Sequence, residues 1–387
     1  MLSESQVDQI AAPISGDRPA GIDTRIDRSF HRIKDARNEA SRIEKRAGED
    51  LADSTKAEKD TVTRSQSVTY WKTVVDLGQE ALTKRTKDLD IASYMIEATV
   101  RTDGFAGLTA IFRATGLMVE NCWDGMFPMP DDDDGIEITQ EQILEDRILP
   151  LSRLSGGEGD GLLIEPLSWI EITGPNDPGP FCLWQYRQAL EYEKCSDNEK
   201  EIRRGRGTVT MAQIESAVKQ TSDSEFRELL DSILACRKEY ESLIGKVTEK
   251  INGAGLARPP QVSSSRLLEE FDSCLMAVRH LTTGRIGDDE EDVSSTDPNI
   301  NTPGAGSSNG SVDKTLRTRE DAFRTLQRIA EFFEKTEPQS LIPAQLKKLV
   351  RLAKLSPAEY FSEILDNRDI RDQLFKNYGL ELKKDDD

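Results

Sequence analysis

Catalysis needs side chains that can hold a metal, move a proton or attack a bond, and this chain of 387 residues arranges few of them to do so. The run Asp131-Asp132-Asp133-Asp134-Gly135 invites comparison with a calcium loop. With Gly135 at the sixth loop position, Asp132, Asp134 and Glu141 fall at the third, fifth and twelfth, but Pro130 takes the first and has no side-chain oxygen. The run reads as a solvated acidic turn. Gly156-Gly157-Glu158-Gly159-Asp160-Gly161 has the glycines of a phosphate loop but not its Gly-Lys-Ser/Thr ending, and its two carboxylates would repel phosphate oxygens. It reads as a flexible turn.

Arg203-Arg204-Gly205-Arg206-Gly207 is basic, yet no aromatic ring is interleaved to stack on a base, which favours weak contact with an acidic partner over nucleic-acid readout. The two histidines, His31 and His280, stand in helix-like segments with no second ligand or base nearby and read as structural. The five cysteines (Cys122, Cys182, Cys195, Cys236, Cys274) are odd in number, far apart and without a C-x-x-C pair. Neither a disulfide framework nor a zinc knuckle follows; they read as reduced and mostly buried. Carboxylates are plentiful, but none is singled out as half of an acid–base pair. The chain therefore reads as a non-enzyme, with no catalytic residue, cofactor or metal.

What must be positioned is thus a contact surface, and composition limits what it can contact. Lys and Arg number 51 against 71 Asp and Glu, a formal charge of −20 that would repel nucleic acid and an anionic membrane alike. Charged residues make up 32% and aromatics 6%, a balance of solvated helices rather than aromatic-rich sandwiches. No run of about 18 apolar residues could span a membrane, and the opening lacks a basic head before an apolar core. No membrane insertion is expected, and the cytosol is the expected compartment.

The fold class is mainly α. Phe30, Ile33, Ala36 and Ile43 share one face of a long helix over 27–46, followed by a polar stretch over 48–66. Three helices then stack as hairpins through Trp71 to Trp123, with turns at Lys84–Lys87 and Thr102–Gly104, and close at Phe127-Pro128-Met129-Pro130. Two short apolar runs, Leu162–Ile164 and Trp169–Ile172, predict a small two-stranded element before a helix carrying Leu183, Trp184, Tyr186 and Leu190. Ser222-x-x-Glu225 is a capping box opening a helix through Val247, and Pro259-Pro260 breaks the chain before another through Leu281.

This gives an N-terminal domain over 1–195, a helical middle domain over 208–283, a disordered linker over 284–313 and a helical C-terminal domain over 314–387. The linker has only Ile286, Val293, Ile300 and Val312 as large apolar residues, too few to offset ordering entropy. In the last domain Phe323, Leu326, Ile329 and Phe333 form one stripe, and Leu346, Leu349 and Val350 a second. Ser356-Pro357-Ala358-Glu359 caps a helix through Tyr360 and Phe361. So small a core is commonly completed by oligomerisation. Phe323, Leu326, Phe333, Leu346, Leu349, Val350, Tyr360 and Phe361 are the residues expected to carry it.

The segment Pro13-Ile14-Ser15-Gly16-Asp17-Arg18-Pro19-Ala20-Gly21-Ile22-Asp23, followed by Arg25, Asp27, Phe30 and Ala36-Arg37, resembles the opening signature of the ImpA N-terminal domain. That domain defines the TssA subunits of the bacterial type VI secretion system. The resemblance continues through Trp71-Lys72, Lys87-Asp88-Leu89, Gly104 to Leu108, Trp123-Asp124, Pro128-Met129-Pro130, Arg147 to Leu151 and Leu163 to Leu167. Pro13, Ser15, Gly16, Pro19, Gly21 and Asp23 are its N-terminal marks, suited to an extended strap with Asp23 and Asp27 available as helix caps. Glu337-Pro338-Gln339-Ser340-Leu341 is similar to the Glu-Pro-x-Ser-Pro of the form with a short, phage-baseplate-like C-terminal domain, with Leu341 in place of one proline. The resemblance implies a non-enzymatic assembly factor, a ring-like homo-oligomer that contacts baseplate, sheath and inner-tube proteins in the bacterial cytoplasm beside the inner-membrane secretion complex. The alternative is a cytosolic helical-repeat adaptor or chaperone unrelated to secretion, which would share the stacked hairpins but have no use for the strap.

Overall fold

Helix follows wherever apolar residues recur at three-and-four spacing between caps, and the computed structural model is helical almost throughout. It describes residues 1–25, 28–50, 56–130, 138–157, 159–286, the scattered positions 323, 326, 327, 329, 330, 333 and 334, and 342–353. The chain divides into one unit over Met1–Glu291 and a second over Asp292–Asp387. In the first, α1 (Glu4–Ala11), α2 (Arg28–Asp50), α3 (Lys56–Lys84), α4 (Leu89–Thr102) and α5 (Gly104–Cys122) precede a single 3₁₀ turn, Trp123–Gly125. α6 (Gln140–Ser155), α7 (Ile164–Ser168), α8 (Leu183–Glu193), α9 (Asp197–Gly205), α10 (Met211–Gln220), α11 (Asp223–Asn252) and α12 (Ser265–Leu281) follow.

α5 is the centre. Phe105, Leu108, Ile111, Phe112, Ala114, Thr115, Met118 and Val119 are all buried, more than one stripe of a helix can supply. α4 covers one side, α1 crosses another and α11 runs along a third. Aromatic rings join these layers: Phe112 lies 5.1 Å from Tyr240 of α11, Tyr240 6.0 Å from Phe271 of α12, and Phe271 6.4 Å from Phe105. α2 and α3 are fastened to α4 by Glu44, which accepts from Trp71 Nε1 at 2.6 Å and pairs with Arg101 at 3.0 Å. The Arg101 guanidinium in turn lies 4.3 Å above the Trp71 ring. At the other end α6 caps α12: Ser155 Oγ accepts from the Leu267 amide at 3.1 Å, one of the orphan donors at that helix start.

Three expectations change. Residues 208–283 do not stand apart as a middle domain; they share one core with the N-terminal helices, because α5 needs α11 and α12 to cover it. The polar stretch over 48–66, for which no element was expected, is helical through Asp50 and again from Lys56. The two-stranded element shrinks to an isolated bridge between Glu171 and Cys182, and Leu162–Ile164 turns instead into α7. Here Ile172 N donates to Phe181 O at 2.8 Å and Leu183 N to Ile170 O at 3.3 Å, so Trp169–Ile172 pairs with a later segment, not with the earlier run. The expected linker start also moves. Arg285 donates to Thr221 O at 2.8 Å and pairs with Asp223 at 2.7 Å, so residues 284–286 close the first unit.

A shared core has a measurable consequence. Phe271→Ala should cost about 3–5 kcal/mol, and amide hydrogen exchange should quicken in α4 and α5 as much as in α11 and α12. Loss of protection confined to residues 208–283 would show two separately folding domains.

Candidate interaction surfaces

The signature residues build a strap rather than a pocket. Pro13, Ser15, Gly16 and Pro19 are exposed, whereas Gly21 and Asp23 are half-buried. Ile14 N donates to Pro19 O at 2.8 Å, which folds the segment into a loop, and Gly21 N to Arg18 O at 2.8 Å turns it inward. From there the strap lies against the α3–α4 connection: Ile22 N donates to Arg85 O at 3.0 Å and Lys87 N to Ala20 O at 2.8 Å. The far side of the same connection meets the end of the hairpin domain, with Phe127 N on Lys87 O and Leu89 N on Phe127 O, both at 2.9 Å. Gly21 sits at φ +78°, and a Cβ there would lie 2.0 Å from Arg85 O. Only glycine permits that approach.

Lys87 shows why the approach matters. It is fully buried, and its ammonium donates to Ile10 O at 2.7 Å and Leu82 O at 2.6 Å, the terminal carbonyls of α1 and α3. A cation there complements two helix C-termini at once. Burial nevertheless lowers its pKa to about 8. Beside it Asp88 caps α4 by accepting from Asp90 N at 2.8 Å, and burial, with the nearby Asp90 charge, pushes its carboxyl up to about 7. Asp23 was expected as a helix cap. It closes a local turn instead, accepting from Arg25 N at 2.9 Å and pairing with the Arg25 guanidinium at 2.7 Å. Burial pushes the Asp23 carboxyl up, but the hydrogen bonds and charge of Arg25 outweigh it and hold the pKa below the usual carboxylate value. Asp27 lies outside the described residues.

In the second unit the described residues between 323 and 334 are helical, and α13 (Ile342–Leu352) follows. Lys347 Nζ on α13 pairs with Glu334 at 2.7 Å. Of the expected oligomerisation residues, Val350 is buried, at 3% exposed, as is Ala330 outside that set. Phe323, Leu326, Phe333 and Leu346 are half-buried, and Leu349 is 53% exposed. Ile329, outside that expected set, is 40% exposed. Tyr360, Phe361 and the Ser356 cap lie outside the described residues.

The residues weighed for chemistry make the following contacts. Among the described residues no cluster of three His, Cys, Asp or Glu could hold one metal ion, and no helix is long and apolar enough to cross a membrane. His280 Nδ1 lies 2.8 Å from the Tyr186 hydroxyl, bracing α12 on α8, and His31 is exposed beside Phe30. Four cysteines are buried and Cys195 is half-buried, all as free thiols. Gly156, Gly157 and Gly161 all have positive φ, and Arg266 holds the turn by donating to Gly159 O at 3.1 Å. Arg203 pairs with Glu199 at 2.7 Å along α9. The acidic run 131–134 is outside the described residues. The role of Lys87 escaped the sequence reading. It stands in the polar run Lys84-Arg85-Thr86-Lys87-Asp88, where nothing in the residue types marks one cation as buried.

Comparison with known proteins agrees with this geometry. Residues 11–156 match the family described as ImpA, N-terminal, type VI secretion system. The chain is 24% identical over 363 residues to the type VI secretion system component TssA1 of Pseudomonas aeruginosa, covering 92% of this chain and 93% of that protein. A solved structure, the N-terminal domain including the conserved ImpA_N region of the TssA component from Burkholderia cenocepacia, aligns with a TM-score of 0.53 and 22% identity. It covers 73% of this chain and 97% of its own, a likeness of fold.

The strap gives a sharp test. Gly21→Ala should lower stability by roughly 2–5 kcal/mol, the sum of left-handed backbone strain and a backbone clash. Gly16→Ala, at φ +116° with nothing within 4 Å of a Cβ, should cost about 1–2 kcal/mol. Thermal unfolding of the two variants compares them, and equal losses would show that the Arg85 contact is not tight.

Proposed function

Because the chain belongs to the TssA family of type VI secretion components, we propose that it is a non-enzymatic assembly factor of the contractile tail. In this reading it forms a multimer through its second unit and presents its first unit to baseplate, sheath and inner-tube proteins. The supporting observation is the extent of the likeness to TssA1: it runs through 92% of the chain, so it takes in both units rather than the ImpA-like part alone. The exposed Leu349 and Ile329 of the second unit are apolar side chains that a second copy could cover. The proposed division runs from a first unit ending near Ile286, through a linker up to residue 313, to an oligomerising domain over 314–387.

The physical advantage of this arrangement is multivalency. A module joined to a ring raises the local concentration of every copy's contact face, so individually weak contacts add up. A polar tether lets those faces meet partners whose positions shift as a tail grows. A net charge of −20 also disfavours nucleic acid and anionic lipid as alternative targets.

Sheath assembly in cells, followed with a fluorescent sheath subunit, tests the division of labour. A chain ending at Ile286 should stay folded and fail to support sheaths. Fusing a foreign ring-forming domain in place of residues 314–387 should restore part of the assembly. No rescue, together with a monomeric C-terminal domain that binds baseplate proteins by itself, would make that domain a specific docking surface and overturn the proposal.

A further inference from the structure

Where α5 ends, the 3₁₀ turn, the start of α6 and the last turns of α11 flank a half-open cavity of about 950 Å³. Its apolar wall comes from Trp123, Met129, Ile143, Leu144 and Ala254. Such a volume lies at the upper end of ligand-site sizes, about 300–1,000 Å³, far more than an ion or a few waters occupy. A short peptide segment is of the right size.

The charges on the wall differ in how they are compensated. Lys246 pairs with Glu120 at 2.8 Å, and Lys250 donates to Glu120 O at 3.1 Å. Arg147 has no such partner among the described residues. It is 3% exposed; one guanidinium nitrogen donates to Trp123 O at 2.9 Å, the other lies 3.0 Å from Met129 Sδ, and Nε has no acceptor among the described residues. The guanidinium carbon stands 5.0 Å from the Trp123 ring centre, so the ring gives it a face but no counter-charge. Burial lowers the Arg147 pKa to about 10, which the charge of Asp124 only partly offsets. A buried cation without a carboxylate is costly to keep, and a carboxylate that reaches one terminal guanidinium nitrogen gains a charge-assisted hydrogen bond. Glu120, Asp124 and Glu249 also face the cavity and would repel a dianion such as phosphate more than a single carboxylate.

We propose that this cavity is a docking site for a short segment of a protein partner, which sets one Asp or Glu side chain against Arg147 and an aliphatic neighbour against Trp123 and Ile143. The inference rests on the reading that the first unit carries partner contacts, and it fails separately from it. A peptide titration reads the cavity alone, whereas sheath assembly reads the whole device.

The test uses the full chain with isotope-labelled isoleucine methyls, since Ile138 and Ile143 both line the cavity. The probe is acetyl-Ala-Leu-Glu-Leu-Leu-Ala-amide, compared with the same peptide carrying Gln for Glu. The Glu peptide should shift both methyls saturably, and the Gln peptide should bind about tenfold more weakly or worse. Arg147→Lys should remove most of that Glu-over-Gln preference. Ala254→Trp, which places a large ring on the cavity wall, should abolish binding of both peptides, the remaining methyl signals reporting that each variant is folded. Equal affinity for the two peptides, shifts confined to methyls elsewhere, or no shift at millimolar Glu peptide would overturn the proposal. So would tighter binding of a Gln peptide with a free carboxyl terminus, which would make the ligand a chain end.

Discussion

Burial of α5 on nearly every side is the constraint from which the rest of the first unit follows. A helix with Phe105, Ile111, Phe112, Ala114, Met118 and Val119 all inside cannot be satisfied by one hairpin neighbour. α4 takes one face and α1 another, but the face holding Phe112 is covered only when Tyr240 and Phe271 arrive from more than a hundred residues away. Interiors pack as densely as organic crystals, so those rings leave little room for an independent middle domain to detach. The strap depends on the same centre. Lys87 can cap α1 and α3 only because α1 is held across α5, and Gly21 then seals the connection that carries the lysine.

Much of this was legible, for stated reasons. The hairpin turns at Lys84–Lys87 and Thr102–Gly104 coincide with the ends of α3 and α4, since Asp88 and Gly104 punctuate the periodicity. The Ser222–Glu225 capping box opens α11 as read, with both reciprocal bonds present. What failed was partner choice. A helical stripe states that a face will be buried and is silent on what buries it, so 208–283 read as a separate domain. Leu162–Ile164 is too short a run for its period to separate strand from helix. Residues 56–66 carry no apolar stripe, and their helix continues from the well-anchored part of α3. Asp23 was read as a cap, but Arg25 two residues on offers it a nearer donor.

The surfaces left over shape the functional account. The fold spends its buried polar groups on joining helices: Lys87 on α1 and α3, Glu44 on α2 through α4, Ser155 on α12. Among the described residues none of these forms a pocket with a nucleophile and a base. Ile329 and Leu349 stand exposed in the second unit, and a wall of mixed polarity lines the Arg147 cavity in the first. On the proposed reading, a chain that binds through several modest surfaces gains most from being present in many copies.

Copy number is therefore the quantity on which the account stands, and native mass spectrometry of the full chain reads it directly. The account predicts one dominant closed assembly whose mass is an integral multiple of 43.3 kDa and which collapses when Leu349→Asp is introduced. A single species of 43.3 kDa at concentrations well above micromolar would contradict it.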